Sequence, residues 1–232
     1  LNSTTTGHQI NVSAINYGAV TGGTVTLGST FVDGDNLTET LSNTTNDPIV
    51  VSYTFNVTTP GTSPVCALTP VNQIVTVTVD PQPVMSITNN LTELCSGSAT
   101  DIDLNSSTTG AVISLDAVTG IVAGISGFSP AGLTFADGDN IADGLVNTSD
   151  NPVTITYEFS VSLSGCDDLV GAFTTNVTVD PNPNLTIANN NANICSGDAV
   201  DILLNSTTSG HQINVSAVDY GAVTGGSVTL AS

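Results

Sequence analysis

The sequence predicts an all-β protein built from tandem β-sandwich domains of about 100 residues each. Three observations support this prediction. Apolar and polar residues alternate along several short runs, Gly, Asn, Asp and Pro cluster between those runs, and long stretches of the chain repeat. Strict alternation is typical of half-buried strands, and the clustered residues are those that turns between strands favour.

The clearest alternation lies between residues 153 and 161. Successive side chains of a strand point to opposite faces, so one face of this run is apolar and the other polar. The apolar face consists of Val153, Ile155, Tyr157, Phe159 and Val161. Runs over residues 173–179 and 75–79 alternate in the same way. Roughly seven such strands per repeat, without a helical pattern, favour an immunoglobulin-like sandwich.

The repeats set the domain organisation. Residues 204–232 duplicate residues 1–29 with five mild differences, and a diverged copy begins at Leu104. TVTVDPQP at residues 76–83 matches NVTVDPNP at residues 176–183. An Asp-Pro-x-Pro segment is stiff and extended, so we expect the domain boundaries there.

We therefore divide the chain into three repeats. Repeat 1 covers residues 1–80 and lacks its first strand, repeat 2 covers residues 81–180 and is complete, and repeat 3 covers residues 181–232 and is the N-terminal part of a further domain. The sequence begins at Leu1 without a signal peptide, so we expect an internal stretch of a longer polypeptide.

The composition excludes several classes of function. The chain has no Lys or Arg and has 20 acidic residues, giving a formal net charge of −20. Nucleic-acid binding and polybasic membrane contacts need cationic side chains, so neither is expected. No apolar run approaches the ~20 residues that span a bilayer, so membrane insertion is not expected either.

A recurring series of motifs resembles a known family. Cys-Ser-Gly at residues 95–97 and 195–197 precedes DIxLNS at residues 101–106 and 201–206, and a Tyr-x-Phe strand and the VDPxP segment follow. The series is similar to the PKD-like and immunoglobulin-like tandem repeats of large Bacteroidota cell-surface proteins, including gliding-type adhesins. The chain departs from that family in lacking Trp in the strand over residues 9–15.

The resemblance implies an extracellular or cell-surface protein that forms a fibre, a stalk or an adhesin. A structural role predicts copies of the chain arranged head to tail in a fibre. An adhesin module binding a surface glycan is the alternative, but few aromatic residues are available for an exposed binding face. We do not expect an enzyme, because repeat 2 has no His for a nucleophilic triad.

Four cysteines indicate disulfides, since the count is even and the chain resembles secreted proteins. Zinc is disfavoured because no Cys-x-x-Cys pair occurs. We favour Cys95–Cys166, which would staple repeat 2 by itself. The alternative is Cys66–Cys95 with Cys166–Cys195, across the linkers.

Two Asp-Gly-Asp-Asn segments indicate calcium, since closely spaced carboxylate and amide oxygens suit a hard cation. The candidate ligands are Asp33, Asp35, Asn36, Asp137, Asp139 and Asn140. The full EF-hand pattern is absent, and an Asp-Gly turn between two strands explains the same residues. Both interpretations remain open at the level of sequence, and calcium is the one cofactor that we consider.

Overall fold

The structure is a computed structural model that describes residues 1, 8–58, 72–164, 166 and 173–227. All regular elements of this described part are β-strands, which confirms the all-β prediction. In the same residues, no helix has the length and hydropathy that a membrane span requires.

Repeat 2 contains two facing sheets. Its strands are β5 (Met85–Asn89), β6 (Glu93–Cys95), β7 (Ile102–Ser106), β8 (Val112–Thr119), β9 (Ile125–Ser126), β10 (Thr134–Phe135), β11 (Asn140–Ile141), β12 (Val146–Asn147), β13 (Val153–Ser162) and β14 (Phe173–Asp180). One sheet has the order β10-β8-β13-β14-β6, the other has the order β11-β7-β5, and β9 pairs with β12.

The long strand β13 lies at the centre of the larger sheet. It pairs antiparallel with β14 on one side and with β8 on the other. At the sheet edge β6 pairs with β14 in parallel, with Asp180 opposite Cys95. The first and last parts of repeat 2 therefore lie side by side in one sheet.

The core of repeat 2 lies between the two sheets. Ile155, Tyr157 and Phe159 of β13 pack with Ile102 and Leu104 of β7 in one cluster, and all five are fully buried. Polar side chains take the outer face, as the alternation predicts. The prediction of an immunoglobulin-like β-sandwich is confirmed.

Repeat 1 contains a sheet that corresponds to the larger sheet of repeat 2. Its strands are β1 (Gln9–Asn16), β2 (Thr30–Phe31), β3 (Ile49–Thr58) and β4 (Gln73–Val79), in the order β2-β1-β3-β4. The rings of Tyr53 and Phe55 stack with their centroids 6.4 Å apart, as do those of Tyr157 and Phe159 in repeat 2.

Repeat 3 contains a hairpin that corresponds to two strands of the smaller sheet of repeat 2. β15 (Thr186–Asn189) pairs antiparallel with β16 (Ile202–Asn205), as β5 pairs with β7. Both strands of this hairpin are exposed. The boundaries after Asp80 and Asp180 stay predictions, and the repeat labels below refer to the sequence division.

Equivalent leucines in repeats 2 and 3 provide a test of this packing. Replacing Leu104 with Ala should lower the free energy of unfolding of repeat 2 by about 2–5 kcal/mol, because a fully buried side chain leaves a cavity. Replacing the exposed Leu204 with Ala should leave that transition unchanged. Urea denaturation followed by circular dichroism measures both effects, and similar losses from the two variants would contradict the assigned core.

Candidate functional site at the joints between repeats

The same backbone contact joins each repeat to the next. At the first joint the amide of Thr109 donates to the carbonyl of Asn46 at 3.0 Å, and at the second joint the amide of Ser209 donates to the carbonyl of Asp150 at 2.7 Å. The donors occupy equivalent sequence positions, as do the acceptors. One way of joining repeats is therefore used twice.

A hydroxyl–carboxylate hydrogen bond reinforces each joint. Thr109 Oγ1 donates to Asp47 Oδ1 at 2.5 Å, and Thr207 Oγ1 donates to Asp150 Oδ1 at 2.5 Å. Hydrogen bonds to an ionised acceptor are short and stronger than neutral ones. Each joint therefore combines a backbone bond with a charge-assisted bond.

A buried asparagine holds the loop that carries these acceptors. In repeat 2 the side-chain amide of Asn147 donates to the carbonyls of Asn151 and Val179, both at 2.8 Å. In repeat 1 the amide of Asn43 donates to the carbonyls of Asp47 and Val79, also at 2.8 Å. The loop is thereby tied to the last strand of its repeat, immediately before the linker.

The linker itself is packed. Pro81, Pro83 and Pro181 are buried, although they connect separate repeats. Proline fixes one backbone dihedral and restricts the residue before it, so these positions have little rotational freedom. The joint is therefore restrained both by hydrogen bonds and by the linker.

A cavity of about 500 Å³ lies at the first joint. Its walls come from both sides of the linker. They include Leu41, Asn43, Val79 and Asp80 from repeat 1, and Val84 and Cys166 from repeat 2.

Repeats 1 and 2 each also contain a carboxylate that accepts hydrogen bonds from tyrosine. In repeat 1, Glu39 accepts from the hydroxyl of Tyr53, from that of Tyr17 at 2.8 Å and from the amide of Val25 at 2.6 Å. Desolvation opposes ionisation of Glu39, but these hydrogen bonds outweigh it and lower the pKa of Glu39 to about 2. Burial, together with the Glu39 carboxylate, raises the pKa of Tyr53 above its ordinary value.

Asp143 has the corresponding place in repeat 2. It accepts from the Tyr157 hydroxyl at 2.7 Å and from the amide and hydroxyl of Ser129, both at 2.7 Å. Burial is the main cause that raises the pKa of Tyr157, and the negative charge of Asp143 adds to it. These tyrosines are hydrogen-bond donors in the core, and the carboxylates are acceptors that fix loops.

The two Asp-Gly-Asp-Asn segments form turns whose carboxylates accept backbone amides. Asp35 accepts from the amide of Val32 at 2.8 Å, and Asp139 accepts from the amide of Ala136 at 2.8 Å. Asp137 accepts from the amide of Ser106 at 2.7 Å. The turn glycines have φ values of 90° and 85°, which other residues rarely adopt.

The asparagines of these segments differ in their partners. Asn140 donates to Asp101 at 2.7 Å and to Asp103 at 2.8 Å, and this amide, with that of Asn90, lowers the pKa of Asp103. Asn36 and Asp33 lie exposed in the first segment. Within the described ranges, no three His, Cys, Asp or Glu side chains are placed to hold a metal ion. Calcium binding at these segments stays a prediction.

The structure does not bring the favoured cysteine pair together. Cys95 lies beside Asp180 at the end of β14, whereas Cys166 lies in the connection that leads into the start of β14. Eight residues of β14 separate these ends, which corresponds to more than ~20 Å, and a disulfide needs Cα atoms within ~7 Å. Cys95, Cys166 and Cys195 are free thiols in the structure, and Cys66 lies outside the described residues.

Comparison with known families concerns the middle of the chain. Residues 92–183 match the family model described as PKD-like domain. The match covers most of repeat 2 and supports a PKD-like, immunoglobulin-like domain there. No curated protein matches the chain.

Sequence reasoning missed the residues that build the joint. Asn43 and Asn147 lie in Asn-x-Ser/Thr sequons, which usually indicate exposed glycosylation sites, yet both side chains are buried and hydrogen-bonded. For the carboxylates that bind tyrosine, by contrast, the sequence contained a signal. Glu39 precedes Tyr53, and Asp143 precedes Tyr157, by the same number of residues in the two repeats.

The pKa of Glu39 predicts an acid-sensitive contribution to stability. The group ionises more readily in the folded chain, so its contribution is complete above about pH 4.5 and is lost as the pH falls through about 2. In thermal unfolding scans, the difference between the wild type and Glu39→Gln should be constant near neutral pH and should shrink across that window. Glu93→Gln, which removes an exposed carboxylate, controls for net charge; a difference that does not vary with pH would contradict the assignment.

Calcium binding can be tested on the intact chain. If the Asp-Gly-Asp-Asn segments bind calcium, a chelator should lower the melting temperature and excess calcium should restore it, because a ligand of the folded state stabilises that state. The measurement is most sensitive at low ionic strength, where charge interactions are least screened. An unchanged melting temperature would leave these segments as turns.

Proposed function

We propose that the chain is a non-enzymatic structural repeat segment of a secreted extracellular filament or surface stalk. The observation that carries the proposal is the joint that occurs twice. The Asn46–Thr109 and Asp150–Ser209 contacts repeat one geometry at successive junctions. Repeats joined in one fixed way extend as a rod.

The PKD-like domain supports an extracellular location. PKD-like domains typically occur in extracellular or surface proteins. The sequence offers trypsin-like proteases no cleavage site, since Lys and Arg are absent. A surface protein of the type found in Bacteroidota is the context that we propose for it.

The adhesin alternative has less support. Binding of a glycan favours exposed aromatic side chains on one face, but the aromatic residues of β3 and β13 lie in the cores. Among the described large apolar residues that are exposed, Tyr220 is the single aromatic one. A stalk needs no such face, so the burial of the aromatic residues favours a stalk over an adhesin.

The rod can be tested by small-angle X-ray scattering of the full chain at low concentration under reducing conditions. The scattering curve of the wild type should be fitted by a single elongated particle. Combining Asp47→Ala, Pro81→Gly and Pro83→Gly should broaden the distribution of shapes, because the first joint loses its charge-assisted bond and its stiff linker.

A matched control combines Asp116→Ala with Pro130→Gly, which removes the same residue types at exposed sites away from the joint. This variant should scatter like the wild type. If the scattering curve of the wild type can be fitted only by a flexible ensemble of repeat orientations, the stalk proposal is wrong.

A further inference from the structure

We propose that a disulfide crosses each joint between successive repeats. It connects the Cys-Ser-Gly turn of the repeat before the joint with the loop that precedes the last strand of the repeat after the joint. Cys95 and Cys166 of repeat 2 are the two kinds of cysteine that such bonds use, and they bond to cysteines of the next and the previous repeat respectively. The inference rests on the joints of the proposed rod and adds a covalent bond to them.

Cys95 lies at the end of repeat 2 that is beside the second joint. It is exposed, and it is opposite Asp180 in the parallel pairing of β6 with β14. The amide of Ser96, the next residue of the turn, donates to the carbonyl of Asp180 at 2.8 Å. The amide of Gly97 donates to the carbonyl of Leu145 at 2.7 Å. The linker begins directly after Asp180, so the turn cysteine lies next to the joint.

Cys166 lies at the opposite end of repeat 2, beside the first joint. It lines the cavity at that joint together with Asp80, the last residue of repeat 1. The amide of Cys166 donates to the carbonyl of Leu163 at 3.0 Å, and Leu163 Cδ1 lies 3.7 Å from the place that a Cβ at Gly110 would take. Gly110 follows Thr109, which donates to repeat 1. The loop cysteine therefore also lies next to a joint.

The two joints show the same site from its two sides. The turn of repeat 2 is bound by three residues of its own repeat, which are Asp180, Leu145 and Asn147. The equivalent residues of repeat 1 line the cavity at the first joint, and they are Asp80, Leu41 and Asn43. Cys166 lines that cavity too. A turn cysteine before the joint and a loop cysteine after it thus border the same aspartate position, and a disulfide needs such proximity.

The site assigns different partners to the two cysteines of one repeat. Cys95 and Cys166 lie at opposite ends of β14, so they do not bond to each other. Each has a joint beside it instead, and a neighbouring repeat lies across that joint. Cysteines of each kind recur 100 residues apart, as Cys95 and Cys195 do. Because every joint uses one cysteine of each kind, the bonds link successive repeats in series.

Formation of the bond is a two-electron oxidation of two thiols. A small-molecule disulfide such as oxidised glutathione is the oxidant. One protein thiolate attacks it, and the second protein thiolate then attacks the mixed disulfide. Each protein disulfide therefore reduces one oxidised glutathione to two molecules of glutathione, which carry away the two thiol protons.

The test uses an elongated chain in which residues 1–203 are followed directly by a second copy of residues 1–232. Residues 204–232 nearly duplicate residues 1–29, so this order continues the repeats. The third joint then follows Asp80 of the second copy. The repeat before it carries Cys195 of the first copy in its turn, and the repeat after it carries Cys166 of the second copy in its loop. Cys66, which lies outside the described residues, is replaced with Ser in both copies.

Oxidised glutathione should produce one disulfide in this chain, between Cys195 of the first copy and Cys166 of the second. Cys166→Ser in the second copy should abolish the bond, whereas Cys166→Ser in the first copy should leave it intact. The two variants have the same composition, so each controls for the other. Mass spectrometry after alkylation of the remaining thiols detects the bond, at a low concentration that prevents links between molecules.

Two results with the elongated chain would overturn the proposal. One is a disulfide that persists when Cys166 of the second copy is Ser. The other is the absence of a disulfide in an elongated chain whose circular dichroism spectrum has the β-type shape of the single chain.

The single chain provides a second measurement that needs no fusion. Oxidised glutathione should leave Cys95 and Cys166 without a bond to each other, because the length of β14 separates them. Each should carry glutathione as a mixed disulfide, which adds mass to the chain and is located in peptic peptides. A Cys95–Cys166 or Cys166–Cys195 bond within one chain would overturn the proposal.

The oxidation and scattering experiments separate the two proposals. A chain that is rigid under reducing conditions but forms no disulfide across its joints would overturn the disulfide and leave the stalk proposal standing. A chain that forms the disulfide but bends freely when reduced would do the reverse.

Discussion

The arrangement of repeats depends on the hydrogen bonds of one buried asparagine, Asn43 in repeat 1 and Asn147 in repeat 2. Its side-chain amide is shared between the joint loop and the last strand, as Asn147 shows with Asn151 and Val179. A buried amide without partners costs free energy, so the loop conformation and the strand position are selected together. The loop that carries the acceptors for the next repeat is therefore held to the last strand by the same side chain.

The absence of Lys and Arg shapes the rest of the chemistry. Carboxylates inside such a protein have no Lys or Arg to neutralise them, so they accept hydrogen bonds from backbone amides and hydroxyls instead. Asp143 and Glu39 do this with tyrosines, and Asp47 and Asp150 do it across the joints. Charge-assisted hydrogen bonds thus take the part that ion pairs have in most proteins.

Much of the fold could be predicted because it is encoded locally. The alternation in residues 153–161 gave the strand and its buried face, and the near-duplicate segments gave the repeats. The joint could not be predicted, because a sequon does not reveal that Asn147 faces inward. The structure keeps Cys95 and Cys166 apart, and the sequence did not reveal this for a related reason. Sequence spacing does not show at which end of a sandwich a loop lies.

The parallel pairing of β6 with β14 has a mechanical consequence. These strands belong to the early and late parts of repeat 2, so tension applied to the two ends of the repeat pulls them along each other. The hydrogen bonds between parallel strands lie across the direction of such a force and share the load. They must break together rather than one after another, so this pairing resists a pull applied between the two ends of repeat 2.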